Sequence, residues 1–297
     1  MEFDEFSLLQ DNATEVGLPW PGTPAVARHE VPLPDGRTMS ALVWGDGPPE
    51  MVLLHGGAQN AHTWDTVALA LGRPLLAIDL AGHGRSSWRE DGVYAPGGMA
   101  DDVAAVIRAL APEAGMVVGM SMGGITSIAL SARHPELVRR LVLVDVTPGV
   151  NSEKAAAIVA FVSGPPTFAT FQDLLDRTIE HNPTRSEASL RRGILHNAEE
   201  LEDGSWGWRH HLGRGGVERP TGVDFATLWD DVSAVKVPLM LVRGGASPVV
   251  DDEDVAELRR RQPDVRVEVV DGAGHSIQGD RPLELALLLD AFASEGQ

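Results

Sequence analysis

A serine stands at the centre of a Gly-x-Ser-x-Gly sequence, a pattern that places a nucleophile on a sharp turn. The five residues are Gly119-Met120-Ser121-Met122-Gly123. A short apolar run precedes the serine and a segment with helical spacing follows it, so the strand, turn and helix that the pattern requires are present. Side chains at 119 and 123 would collide with neighbouring backbone in so tight a turn. We therefore predict that Ser121 is a nucleophile at the carboxyl end of a strand.

A serine hydroxyl needs a base within hydrogen-bond reach to attack at neutral pH. Among the ten histidines, His275 is the one flanked by glycine in a loop that leaves a late strand. We expect it to be the base. His55 directly precedes Gly56-Gly57 and is expected to brace a loop instead. Six further histidines are expected to be ordinary surface or cap residues: His29, His62, His181, His196, His210 and His211.

Buried strands and helical segments alternate around these residues. Strands are predicted at 51–54, 74–80, 116–120, 141–145, 237–242 and 265–270. Helices are predicted at 98–111, from Ser121 to about His134, at 251–262 and at 281–293. The pair Asp35-Gly36 predicts a hairpin between 28–34 and 37–44, which would form an antiparallel edge. This alternation indicates an α/β fold with a mainly parallel sheet and helices on both faces.

The alternation stops after Asp145 and resumes at Val237. The segment between them is largely helical in pattern, with proline breaks at Pro165-Pro166 and Pro183. We therefore expect three parts: a first core part at 1–146, a helical cap insertion at 147–235 and a second core part at 236–297. Residues 2–16 additionally predict a short amphipathic helix that could act as a docking arm.

Composition narrows the class of protein. The 297 residues include 43 acidic and 24 basic side chains, a formal net charge of -19 that opposes binding to nucleic acid or to anionic membranes. The absence of cysteine excludes disulfides and thiolate chemistry. The N-terminus has no cationic and apolar leader, and no segment approaches the length of a membrane span. We expect a cytoplasmic protein without nucleic-acid or membrane partners; the sequence does not indicate an oligomeric state.

The order of the motifs resembles the α/β-hydrolase superfamily over essentially the whole length. The matching stretches are His55-Gly56-Gly57, 79–86, 119–123, 141–145 and 272–278. Within the superfamily, the stretches 55–64, 88–92 and 142–148 are similar to a mycobacterial serine esterase of this fold. The resemblance implies a core sheet of about eight strands, a helical cap inserted after the sixth strand, and ester hydrolysis by a serine–histidine–acid triad.

The resemblance also implies an oxyanion hole made of two backbone N–H groups. The matching positions are Met122, first in the helix after Ser121, and Gly57, at the end of the third strand. Gly57 has no side chain to obstruct a substrate. The alternative that His55-Gly56-Gly57 is only a turn stays open.

The triad acid departs from the common pattern. Most of the superfamily places it just beyond the seventh strand, where this chain has Ser247. Asp145, which ends the sixth strand, is favoured because some family members carry the acid there. Asp251 and Asp252 remain alternatives, although they come later and are well placed to begin a helix.

The function that follows is a cofactor-independent carboxylic ester hydrolase with a small-molecule ester substrate. No cofactor and no metal ion are expected. Ser121 would attack the carbonyl, His275 would carry the proton and Asp145 would orient His275. The same residues could act on a lactone, a thioester or a carbon–carbon bond, because a triad does not define the leaving group. A catalytically silent ligand-binding member of the fold is the alternative outside the enzymes.

Overall fold

A computed structural model describes residues 4–150, 153–162, 164–182, 185–211 and 225–295. The strands among these residues are β1 (Val26–Pro32), β2 (Thr38–Trp44), β3 (Met51–Leu54), β4 (Leu75–Asp79), β5 (Met116–Met120), β6 (Leu141–Val144), β7 (Thr167–Phe168), β8 (Ala198–Glu200), β9 (Trp206–Trp208), β10 (Leu239–Gly244) and β11 (Arg266–Val270). The helices are α1 (Leu9–Glu15), α2 (Asp65–Leu71), α3 (Pro96–Leu110), α4 (Met122–Arg133), α5 (Ala156–Val162), α6 (Phe171–His181), α7 (Glu187–Asn197), α8 (Leu228–Ala234), α9 (Asp252–Arg261), α10 (Ile277–Asp280) and α11 (Pro282–Ser294).

Eight of the strands form one sheet in the order β1-β2-β4-β3-β5-β6-β10-β11. The β1–β2 and β2–β4 pairs are antiparallel and the pairs from β4 onward are parallel. The predicted hairpin is therefore confirmed as the antiparallel edge of a mainly parallel sheet. Parallel neighbours bring the carboxyl ends of β5, β6, β10 and β11 to one edge of the sheet, where loops can meet.

Apolar side chains are buried on both faces of this sheet. In β3, Val52 and Leu54 belong to a core shared with α3, α4, α8 and α9. Met51 and Leu53 point to the opposite core, which is shared with α2 and α11. Burial on both faces explains why the strands are continuous apolar runs rather than alternating ones. Among the described helices, none is both long and apolar enough to cross a lipid bilayer.

The segment between β6 and β10 has a small core of its own. Phe168, Leu174, Leu190, Ile194 and Trp208 pack together there. Besides α5 to α8, the segment contains a three-stranded antiparallel sheet in the order β7-β9-β8. The sequence predicted a largely helical segment without these strands, because strands of two or three residues are too short to show an alternating pattern.

The N-terminal helix is shorter than predicted. A helix was expected over 2–16, of which residues 1–3 lie outside the described part of the chain, and α1 begins only at Leu9. Leu9 and Ala13 are buried on one side of it, as its amphipathic pattern indicated. The segment before α1 reaches the core through a side chain, Glu5, described below.

Leu53 allows the buried sheet to be tested. Leu53→Ala should lower the free energy of unfolding by about 2–5 kcal/mol, because it removes apolar contacts and leaves a cavity. Urea denaturation followed by tryptophan fluorescence measures the change. Leu287 on α11 is 71% exposed, so the matched control Leu287→Ala should change stability by less than about 0.5 kcal/mol. Equal losses in the two variants would contradict the burial of β3.

Candidate active site

Ser121 lies on the turn between β5 and α4, in a backbone conformation that side chains rarely adopt. Its φ is 50° and its ψ is -117°. The two glycines permit this turn: a β-carbon on Gly119 would overlap the backbone of Gly123, and one on Gly123 would overlap the backbone of Leu54. The strand, turn and helix predicted around Ser121 are therefore present, and the residue lines a cavity at the carboxyl edge of the sheet.

His275 follows β11 and reaches the same cavity. Its Nδ1 lies 2.8 Å from Oδ2 of Asp145. A proton on Nδ1 donates to this carboxylate, which leaves Nε2 as the basic nitrogen. Nε2 is buried and has no hydrogen-bond partner in the part of the chain that the structure describes, Ser121 included. Hydrogen bonds between catalytic groups are often long before substrate binds. The lack of a hydrogen bond between Nε2 of His275 and Ser121 is therefore compatible with the two residues acting together.

Asp145 is fully buried at the end of β6. Its φ of 50° is, like that of Ser121, uncommon for a residue with a side chain. Oδ1 accepts a hydrogen bond from the backbone N–H of Gly244 at 2.9 Å, and Oδ2 accepts from His275 and from the hydroxyl of Ser247. Three donors thus compensate a buried negative charge.

The two alternative acids lie at the start of α9 and have other partners. Asp251 caps this helix by accepting from the N–H of Asp254 at 2.9 Å, and it pairs with Lys154 at 2.8 Å. Asp252 pairs with Arg243. Of the three candidates left open by the sequence, Asp145 is the carboxylate that meets His275.

The contact of Ser247 with the candidate acid was not predicted from the sequence. Ser247 occupies the place where most of the superfamily has the triad acid, and its hydroxyl bonds to the carboxylate of Asp145. Its Oγ also accepts from the N–H of Val249 at 3.2 Å. The signal was available in the sequence, because a position that holds the acid in other chains must lie near the histidine.

The loop after β3 forms another wall of the cavity. Gly57 lines it, and a β-carbon at Gly57 would meet no atom of the described residues within 4 Å. Met122 is the first residue of α4, where a backbone N–H has no partner within the helix. His55 braces this loop as expected: its Nδ1 lies 2.7 Å from the carbonyl oxygen of Gly56, and its Nε2 accepts from the N–H of Leu80 at 2.9 Å.

The cavity has a volume of about 1040 Å³ and is lined by three parts of the chain. Ser121, His275 and Gly57 come from the ends of the sheet. Phe161 and Trp208 come from the segment between β6 and β10, and α1 contributes further side chains. The wall is mixed in polarity, with amides and hydroxyls beside the aromatic rings: Asn60, Thr63, Ser276 and Gln278.

The comparisons with known proteins identify the family of the chain. Residues 49–282 match the family model described as the alpha/beta hydrolase fold. The chain belongs to the α/β-hydrolase family. The resemblance noted from the motifs is therefore confirmed, as is the mostly parallel eight-stranded sheet.

Two relatives within the α/β hydrolases cover most of the chain. Esterase Rv0045c of Mycobacterium tuberculosis is 48% identical over 95% of this chain and 93% of its own. A solved structure of that esterase has a TM-score of 0.87, with 47% identity over 98% of this chain and 99% of that chain. The sn-1-specific diacylglycerol lipase ABHD11 of Xenopus laevis is 30% identical over 79% of this chain and 76% of its own.

One charged cluster in this α/β hydrolase was not anticipated. His62, expected on the surface or in a cap, has a side chain only 4% exposed. Its Nδ1 lies 2.9 Å from Asp65 and its Nε2 lies 3.0 Å from Glu5, which also pairs with Arg28. The ring stacks on His196 with centroids 3.8 Å apart. The expectation is therefore wrong for His62, which lies in the core part of the chain. His210 is also buried, but it lies in the segment predicted to be the cap.

The same cluster contains ligand types that bind metals. Nitrogens of His62 and His196 and an oxygen of Asp65 lie within 4.8 Å of one another. Both nitrogens of His62, however, already face carboxylates, and the guanidinium of Arg28 is 3.3 Å from its Nε2. A metal ion would have to replace these bonds beside a permanent cation, so the arrangement is better suited to a protonated imidazole.

The pH dependence of stability tests this interpretation. Burial opposes protonation of His62, but Asp65 and Glu5 outweigh it and raise the pKa of His62 to about 9. The stabilisation is then complete below the unfolded pKa of about 6.5 and is lost as the pH rises through about 9. His62→Gln should therefore destabilise the protein most near pH 6, and the difference should shrink by on the order of 3 kcal/mol by pH 10.

Urea titrations at pH 6, 8 and 10 measure this difference. His29→Gln makes the same chemical change at an exposed position on β1 and is expected to show no such pH dependence. A difference between wild type and His62→Gln that is constant with pH would show that His62 is not a charged partner of Asp65 and Glu5.

Proposed function

We propose that this chain hydrolyses small-molecule carboxylic esters through an acyl-enzyme on Ser121, with His275 as general base and Asp145 as the acid that orients it. The observation that carries the proposal is the hydrogen bond from His275 to Asp145, which leaves Nε2 of His275 without a partner among the described residues, beside the cavity that His275 and Ser121 both line. The similarity to Esterase Rv0045c supports the coarser assignment: the chain is a carboxylic ester hydrolase.

The first half of the reaction forms the acyl-enzyme. Oγ of Ser121 attacks the ester carbonyl while Nε2 of His275 takes its proton. The carbonyl oxygen becomes an anion, which the N–H groups of Gly57 and Met122 stabilise. The tetrahedral intermediate then expels the alcohol, and His275 gives the proton to the leaving oxygen.

The second half releases the acid. Water loses a proton to His275 as its oxygen attacks the acyl carbonyl, and the same two N–H groups stabilise the second intermediate. Ser121 leaves with the proton from His275, which restores the free enzyme. Asp145 remains ionised throughout, because its task is to hold the histidine tautomer and stabilise the imidazolium.

We further propose that residues 147–235 act as a cap over the two core parts, 1–146 and 236–297. Phe161 and Trp208 support this division, since they lie between the small core of that segment and the cavity. A cap that excludes water would strengthen the interactions with the oxyanion. The predicted cytoplasmic location, and the expected lack of nucleic-acid and membrane partners, stay predictions.

The nucleophile and base are tested together. Ser121→Ala and His275→Ala should each lower kcat by on the order of a million-fold, because the serine and the histidine act together in the same chemical step. Hydrolysis of a p-nitrophenyl ester series of increasing acyl length gives the rates. Ser131→Ala, another buried serine on α4, is the matched control and should keep wild-type activity.

Two results would change the proposal. Turnover that survives Ser121→Ala would exclude the acyl-enzyme on this residue. If wild type cleaves none of the esters, labelling of Ser121 by a fluorophosphonate would indicate a lactone, thioester or carbon–carbon substrate, and failure to label would indicate a silent binding protein.

The acid is tested separately. Asp145→Asn should lower kcat by roughly ten-thousand-fold, because the amide no longer holds His275 in the productive tautomer. Asp251→Asn and Asp252→Asn, measured on the same ester, should stay near wild type. Loss of activity in either of these variants but not in Asp145→Asn would assign the acid to the later loop.

A further inference from the structure

A partly buried cation, Arg185, lies in the wall of the proposed ester cavity and forms no ion pair with an acidic side chain among the described residues. Among the described residues, the side chain of Arg185 has one hydrogen bond, from Nη2 to the hydroxyl of Ser189 at 2.6 Å. Its Nε is buried and has no hydrogen-bond partner in the described part of the chain. Arg185 and Ser189 both line the cavity that contains Ser121 and His275.

The surroundings place Arg185 close to the catalytic loop. Its guanidinium packs against Gly279 on α10, four positions after His275 in the chain. A β-carbon on Gly279 would lie 3.0 Å from Cζ and Nη1 of Arg185. A larger residue at 279 would therefore displace the guanidinium, and glycine leaves room for it.

The other arginines of the cavity wall differ from Arg185 in having acidic partners. Arg192 pairs with Glu15 and donates from Nε to Asn12 at 2.6 Å. Arg281 lies 3.8 Å from Glu284. Glu15 and Asp280 attract Arg185 from beyond ion-pair distance, while burial lowers the pKa of its guanidinium.

The attraction from Asp280 and Glu15 compensates the charge of Arg185 only in part, and a charge withdrawn from water without an ion-pair partner is costly. A guanidinium offers five N–H donors in a planar fork that matches a carboxylate or phosphate, and a charge-assisted bond of this kind is stronger in a partly dry cavity than in water. A carboxylate or phosphate that enters the cavity would supply the acidic partner that the guanidinium of Arg185 lacks among the described residues.

We propose that Arg185, with the hydroxyl of Ser189, forms an anion subsite in the ester cavity and that the substrate is an ester bearing a carboxylate or phosphate group. This proposal rests on the proposed function, from which it takes the identity of the site. Anion binding at Arg185 can nevertheless be measured directly, without turnover of an ester. The net charge of the protein is -19, so its overall electrostatic field opposes the approach of an anionic substrate. The positive charge of the subsite attracts such a substrate locally.

Binding to the intact protein provides the first test. Calorimetric titration with glutarate and with monobutyl phosphate should show binding to wild type. Arg185→Gln should weaken the binding of whichever ligand wild type binds more tightly by about 10–100-fold, the effect of losing a charge-assisted bond. Arg185→Lys, which keeps the charge but loses the fork, should weaken it less. Arg191→Gln is the matched control, because Arg191 pairs with Glu187 on the exposed side of α7.

Turnover provides the second test. The p-nitrophenyl monoester of glutaric acid and p-nitrophenyl butyrate have similar acyl chains and differ in the terminal carboxylate. Arg185→Gln should lower kcat/KM for the charged ester by about 10–100-fold, mainly through KM, and leave the neutral ester within about three-fold. Thermal unfolding of each variant shows whether it is folded.

The outcomes separate this proposal from the proposed function. If wild type binds glutarate more tightly than monobutyl phosphate, the subsite is specific for a carboxylate. If it binds monobutyl phosphate more tightly, the subsite is specific for a phosphate. Equal binding to wild type and to a folded Arg185→Gln overturns the anion subsite, even if neutral esters are cleaved. Anion binding that depends on Arg185, in a protein that cleaves neither ester, supports the subsite and counts against the ester hydrolase.

Discussion

The buried carboxylate of Asp145 is the constraint on which the site depends. Its charge has no access to water, so protein donors must replace the solvent. They come from Gly244 at the end of β10, from Ser247 just beyond it, and from His275 after β11. The sheet order β6-β10-β11 brings these three segments to one edge. Satisfying one charge therefore fixes where the histidine ring lies relative to the nucleophile strand.

Local sequence was sufficient for the parts of the site that depend on neighbours in the chain. The turn around Ser121 could be predicted because its glycines, its strand and its helix are contiguous. Asp145 was favoured over the acids at 251 and 252 by resemblance and by the position of those two acids before a helix, because the contact between a carboxylate and His275 depends on which loops meet across the sheet. The short strands β7 to β9 were missed for a related reason: their pairing is set by contacts, not by a repeating pattern.

The charged cluster around His62 also could not be predicted from local sequence. Its members Glu5, Arg28 and His196 come from three segments that no spacing in the sequence connects to His62; Asp65, three residues after His62, is the local member. Together they fasten the N-terminal segment to the core and bring it against α7. Asn12 and Glu15 of α1 then contact Arg192 on α7. Part of the cavity wall thus comes from a segment outside residues 49–282, the region that matches the family model.

The bond between Ser247 and Asp145 has an evolutionary consequence. Two strand ends meet at the same carboxylate: Asp145 ends β6, and Ser247, just beyond β10, donates its hydroxyl to Oδ2 of Asp145 beside His275. An acid at position 247 would place a second carboxylate against the buried Asp145, where like charges repel. Moving the carboxylate from one strand end to the other by single substitutions would therefore pass through a chain with either two adjacent buried carboxylates or none.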